Sequence, residues 1–175
     1  MRKDLFAIPI FEDKVDLTKI HIENGEYHPT WDSEIHTSFG SDTDIPQETW
    51  QHIMEVITRN IQTIECSYSN ARIDSLWRNV YTETDYQELH IHPNNQWSFI
   101  IYESVPVSKT VLHNPSFKDI QNHMSHSGIP EFPLDYKPQL ESGSILIFPS
   151  FIMHSVLHGT KGTTIAGNVK LSYNP

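Results

Sequence analysis

One segment of this chain changes hydrophobic period and the rest does not, and that contrast limits the folds open to it. In "DTDIPQETWQHIMEVITRNIQTI", Trp50, Ile53, Met54, Ile57 and Ile61 recur at helical spacing. Asp44 is placed to cap the segment and Pro46 suits a first helical turn, which predicts a helix over about residues 46–63. Everything after it reads as short strands broken by turn residues. Strands are expected around 73–82, in "LHIH" and "WSFIIYES" on either side of "PNN", and in "KTVLHNP" and "GSILIFPS". "MHSVLH" and "TTIAGNVKLSY" add two more, joined by the turn "GTKG". Ahead of the helix, "LFAIPIFEDKV" holds Pro9 and reads as an edge strand, and residues 11–45 offer one or two short strands. A helix packed on many short strands predicts a mainly β, antiparallel jelly roll, and 175 residues fit a single domain over 1–175.

Charge and cysteine content narrow the setting. With 22 acidic against 12 basic residues the formal charge is −10, which disfavours nucleic acid and anionic membranes as partners. No apolar run approaches the ~20 residues of a membrane span, and the start of the chain has no signal-peptide pattern. Cys66 is the lone cysteine, so it forms no intramolecular disulfide and no CxxC zinc site. It is expected to be a small buried apolar residue in a reducing, cytoplasmic protein.

Eleven histidines are far more than this length calls for, so only spacing can single any of them out. In "LHIHPNN", His90 and His92 lie at i and i+2 and share one face of a strand, and Pro93 ends the pairing just beyond them. Imidazole pairs of this kind grip transition metals. A third, His154, follows the buried run "GSILIFPSFIM". Together the three predict a shared metal site. His123 and His126 in "QNHMSH" read instead as surface residues of a polar loop. Residues 115–140, rich in proline and poor in periodicity, are expected to form a long functional loop or lid.

These segments resemble the Fe(II)/2-oxoglutarate-dependent oxygenase superfamily, in the group of small 2OG–Fe(II) oxygenases of bacteria and marine phages. The likeness runs through "LFAIPIF", "WRNVY", "HIHPNNQWSFIIY", "LHNPS", "GSILIFPSFIMH" and "TTIAGN", in the family's order. It implies a double-stranded β-helix (a cupin-like jelly roll) with Fe(II) held by His90, His92 and His154. It implies 2-oxoglutarate as cosubstrate, converted to succinate as molecular oxygen hydroxylates a small-molecule, amino-acid or peptide substrate. It leaves a homodimer open. Asn79, Tyr81, Trp97 and Asn168 then become candidate polar or stacking walls of the cosubstrate site.

Two positions depart from the superfamily pattern. The usual His-x-Asp/Glu carboxylate is His92, which gives three neutral ligands and makes Glu88 a candidate substitute ligand or a partner for a ring N–H. The usual arginine after the distal histidine is missing from "GTKGTTIAGN", so Lys161 is the expected anchor for the far carboxylate of 2-oxoglutarate, with Lys170 the other nearby cation. Two other readings stay open. Gly143, Pro149 and His154 match part of the second cupin signature, while Phe151 and His158 stand where it has Gly and Asn, so a three-histidine dioxygenase without 2-oxoglutarate is one alternative. A non-catalytic module is the other, with His113, His158 or Glu88 closing a four-ligand site.

Overall fold

The structure, a computed structural model, describes residues 7–23, 26–30, 35–41, 44–64, 67–123, 133–159 and 161–173. Cys66 and His126 lie outside these residues, as does most of the middle of the 115–140 loop. The described residues form eleven strands: β1 (Phe11–Lys14), β2 (His28–Thr30), β3 (Ile35–Thr37), β4 (Asn70–Tyr81), β5 (Gln87–His90), β6 (Trp97–Ser104), β7 (Thr110–His113), β8 (Asp135–Tyr136), β9 (Ser144–Pro149), β10 (His154–Val156) and β11 (Gly162–Ser172). Two helices accompany them, α1 (Gln47–Ile61) and α2 (Phe117–His123). Seven strands make one sheet in the order β1-β9-β6-β11-β4-β3-β2, and four make a second in the order β5-β10-β7-β8. Every pairing is antiparallel. This is the mainly β jelly roll expected from the pattern, with β1 at a sheet edge as Pro9 implied.

The helix forms where its period placed it, but its start and its buried stripe differ. The N-cap is Pro46 with no side-chain bond, and Asp44 instead offers its backbone carbonyl to Glu23 N at 3.3 Å. The buried positions are Thr49, Ile53, Val56, Ile57 and Ile61, leaving Trp50 and Met54 half-buried at the margin. Thr49 earns that place through its hydroxyl, which accepts from His21 N at 2.9 Å and ties the helix to the preceding segment. The short helix α2 falls inside the stretch read as loop. It is seven residues long and buries no side chain, so it leaves no apolar period in the sequence.

Two hydrophobic layers result. Outside the larger sheet, α1 covers Trp97, Phe99, Ile101, Ile145, Ile147, Ile165 and Val169. Between the sheets lie Ile100, Tyr102, Leu112, Leu146, Phe148 and Ile152. β6 and β9 are therefore buried on both faces, which is why they read as continuous apolar runs. Gly167 on β11 marks the closest approach. A Cβ there would sit 2.4 Å from the Phe99 ring and 2.7 Å from the Ser75 carbonyl oxygen, so only glycine lets these layers meet.

Candidate metal centre

β5 ends at His90, and His92 lies just beyond it in the turn toward β6, where Asn94 adopts φ 67°. The His92 backbone N–H donates to Ser150 O at 3.1 Å, so the segment keeps its alignment after the ladder has stopped. β10 lies beside β5 and pairs His154 directly with His90. The three rings converge as a result. Their centroids are 5.3 Å apart for His90 and His92, 4.1 Å for His90 and His154, and 4.9 Å for His92 and His154. One ring nitrogen from each lies within 4.8 Å of the others.

Hydrogen bonds identify which nitrogens these are. Nδ1 of His90 donates to the Glu88 carbonyl oxygen at 2.7 Å, and Nδ1 of His154 to that of Ile152 at 3.0 Å. Nδ1 of His92 donates to Asn168 Oδ1 at 2.5 Å. With Nδ1 protonated in all three, Nε2 keeps its lone pair, the tautomer a metal ligand requires. Asn168 is held in turn. Its Nδ2 donates to Ser75 Oγ at 2.9 Å, and its Oδ1 also accepts from Ser98 Oγ at 2.9 Å. The electrostatics agree with this set of tautomers. Burial lowers the pKa of His92 to about 4 and that of His154 well below its ordinary value, and it lowers His90 as well, so all three rings are neutral near pH 7.

This donor set fits iron. Three neutral imidazole nitrogens suit a first-row transition ion, and three ligands leave positions open, unlike a closed structural zinc site. Two of the other candidates for a fourth ligand are bonded elsewhere. His113 Nε2 lies 3.1 Å from Ser155 Oγ, and His158 Nδ1 donates to Thr84 O at 2.8 Å. Glu88 serves His90 through its backbone carbonyl, and its carboxylate is not part of the cluster among the described residues.

The histidines stand at a neck between two cavities. The inner slot runs into the barrel and is walled by Asn79 and Tyr81 from β4, Tyr102 from β6, Lys109 and Thr110 by β7, and Thr164 and Ala166 from β11. The outer chamber opens past Phe39, Ile91 and Pro93, and both share Trp77, Gln87, His90 and His92. Of the residues expected to wall the site, Asn79 and Tyr81 do line the slot. Asn168 lies in the outer wall, behind His92. Trp97 belongs to the core under α1, on the opposite sheet face, because its alternation with Ser98 puts it there.

Lys161 is also placed elsewhere. It is exposed at the mouth of β11 and absent from both walls, and Lys170 lies opposite Arg72 in the distant half of that strand. Among the described residues the one lysine or arginine that lines the slot is Lys109, which sequence reasoning missed, and no carboxylate pairs with it. A hydroxyl network adjoins it. Tyr102 Oη donates to Thr110 Oγ1 at 3.0 Å and accepts from Ser108 Oγ at 3.2 Å. Burial raises the Tyr102 pKa to about 12, so the phenol remains a donor. The described parts of the 115–140 loop line a separate groove with Ile10, His113 and Ile152, not the histidine slot.

Known structures share this fold. In the solved structures, an oxidoreductase of the 2OG-Fe(II) oxygenase family from Burkholderia pseudomallei superposes with TM-score 0.50 at 11% identity, over 90% of this chain and 71% of that one. The viral collagen prolyl hydroxylase of Paramecium bursaria Chlorella virus-1, solved with 2-oxoglutarate, superposes with TM-score 0.51 at 11% identity, over 81% and 80%. At that identity the likeness is one of fold. Among curated proteins no sequence matches. Residues 75–164, more than half of the chain, match the family described as "Putative 2OG-Fe(II) oxygenase", and that span runs from Ser75 through all three histidines to Thr164 in the slot wall. The chain belongs to the 2OG-Fe(II) oxygenases, a family of oxidoreductases.

Proposed function

We propose that the protein is an Fe(II)- and 2-oxoglutarate-dependent dioxygenase that hydroxylates a substrate C–H bond. In the overall balance one oxygen atom of O₂ enters the substrate as hydroxyl, and the other enters succinate as 2-oxoglutarate loses CO₂. The observation that carries this reading is the set of three imidazoles, each with Nδ1 committed to an oxygen acceptor and its other nitrogen turned toward the same point. Fe(II) bound there with the keto acid supplies the oxygen-activating chemistry.

The chain's own residues bind and orient. His90, His92 and His154 hold the ion without adding negative charge, which strengthens its attraction for an anionic cosubstrate. At the far end of the slot, Lys109 and the hydroxyls of Ser108, Tyr102 and Thr110 receive the distal carboxylate, whose burial without a cation would be costly. Asn79 and Tyr81 line the path between, and the apolar walls Ile100, Val105 and Val156 exclude water from it.

The test is binding of 2-oxoglutarate under anaerobic conditions to protein loaded with Fe(II), read by its visible charge-transfer band and by calorimetry. Lys109→Ala is expected to weaken 2-oxoglutarate about 10–100-fold, the loss of one charged hydrogen-bonding partner, while Lys161→Ala changes it little. Iron stoichiometry stays unchanged in both and falls close to zero in His154→Ala. An equal loss at Lys161 would move the anchor to the turn. If wild type shows no band and consumes no 2-oxoglutarate, the three-histidine site works without it.

A further inference from the structure

We infer that the outer chamber holds the group to be oxidised, and that this group is uncharged and apolar: an aliphatic or aromatic side chain, or the hydrocarbon part of a small molecule, beside an N–H or O–H. The inference rests on the oxygenase reading, because it takes the neck histidines as the reacting end.

Among the described residues the wall contains no lysine, arginine, aspartate or glutamate, although 34 residues of this chain are charged. An ammonium group would meet no carboxylate among the described residues of this wall and would face an ion held at the neck. A carboxylate or phosphate would be drawn onto that ion and would compete with the cosubstrate. A neutral group avoids both penalties. The surface also invites apolar contact. Phe39 and Ile91 are 46% and 45% exposed and both belong to the wall, an arrangement that leaves apolar area in water unless something covers it.

Phe39 meets Trp77 edge to face at 4.9 Å, and Trp77 lies 5.5 Å from the His92 ring, so aromatic surface leads from solvent to the neck. Most polar groups of the wall are already occupied. Asn168 bonds His92, Ser98 and Ser75, and Gln87 Oε1 accepts from Tyr81 Oη at 3.3 Å. Asn95 differs. Its Nδ2 donates to Pro93 O at 3.3 Å, but its Oδ1 is buried without a partner, an acceptor awaiting a donor.

The experiment uses ¹⁵N-labelled, Zn(II)-loaded full-length protein, so that no turnover is needed. N-acetyl-L-leucinamide and isobutanol represent a peptide and a small-molecule source of the same apolar group. N-acetyl-L-lysinamide and the α-amide of N-acetyl-L-glutamate carry the charges. Amide and indole shifts should centre on Trp77 and Ile91, with a neutral probe binding at least about tenfold more tightly than either charged one. Ile91→Asp, at an exposed position, should weaken the leucine amide and favour the lysine amide. Equal binding of charged probes, shifts centred elsewhere, or an Ile91→Asp variant with unchanged preference would overturn the inference. Separate anaerobic titration of 2-oxoglutarate keeps the two readings apart. Cosubstrate binding with no neutral-probe binding sinks this inference alone, while the reverse result sinks the cosubstrate and keeps the chamber.

Discussion

The two faces of the seven-stranded sheet are both enclosed, and they differ in chemistry where the inner one meets the histidines. On β6 and β11, Phe99, Ile101, Ile165 and Val169 are fully buried on the face covered by α1. One residue along in each case, Ser98, Tyr102, Thr164 and Asn168 are also buried, at 0–6% exposure, yet all are polar and turned toward the histidines and their slot. The helix-covered face stabilises the sheet through contact area, which is tolerant of chemistry but not of volume. The inner face depends on each polar group meeting its partner. Burial alone does not separate a structural layer from a functional one; hydrogen-bond partnering does.

Phe99→Ala should give the largest effect and breaks the comparison if the faces are coupled. It removes a buried ring from the helix-covered face and is expected to cost about 3–5 kcal/mol in urea unfolding. The folded fraction should bind Fe(II) with wild-type affinity, and a parallel fall in affinity would show that the layers are not separable. Asn168→Ala tests the other face. It takes away the acceptor for His92 Nδ1, so metal affinity should drop about 10–100-fold, or about 1.4–2.7 kcal/mol. A thermal midpoint that falls as far as in Phe99→Ala would make Asn168 a core residue instead.

The smallest effect is one of pH, measured on metal-free protein. Burial holds the folded-state pKa of His92 near 4, below the unfolded value of 6.5. Above pH 6.5 the ring is neutral in both states and nothing is lost. Between about 6.5 and 4 the unfolded chain takes up a proton that the folded chain refuses, so stability falls on acidification by at most about 1.4 kcal/mol per pH unit, and by less because the ring is partly solvated. His90 and His154 shift the same way and add to the slope. Phe99→Ala should keep this slope, whereas His92→Ala should flatten it.

Much of this is legible in the sequence alone. The change of period marked α1, alternation and turn residues marked the strands, and spacing singled out His90, His92 and His154 from eleven histidines. What stayed hidden was set by long-range pairing. Asn168 reaches His92 across 76 residues of sequence, and nothing local reveals that bond. Trp97 lies in a strand buried on both faces, where an aromatic residue carries no sign of which side it takes. Lys161 is near the distal histidine along the chain, but it precedes β11 outside the slot, whereas the segment leading into β7 brings Lys109 to the slot wall.

The hydrogen bonds behind the three rings also differ in kind. His90 and His154 are oriented by carbonyls of their own strand neighbourhoods, which every amino acid supplies, so substitution at Glu88 or Ile152 leaves those acceptors in place. His92 is oriented by a side chain, and that side chain by Ser75 and Ser98. Two rings thus keep these backbone acceptors whatever the side chain beside them, and the third depends on side chains for its acceptor. Point mutation thus has a direct route to the orientation of His92, through Asn168 and its two serines, at the position where the superfamily pattern has a carboxylate.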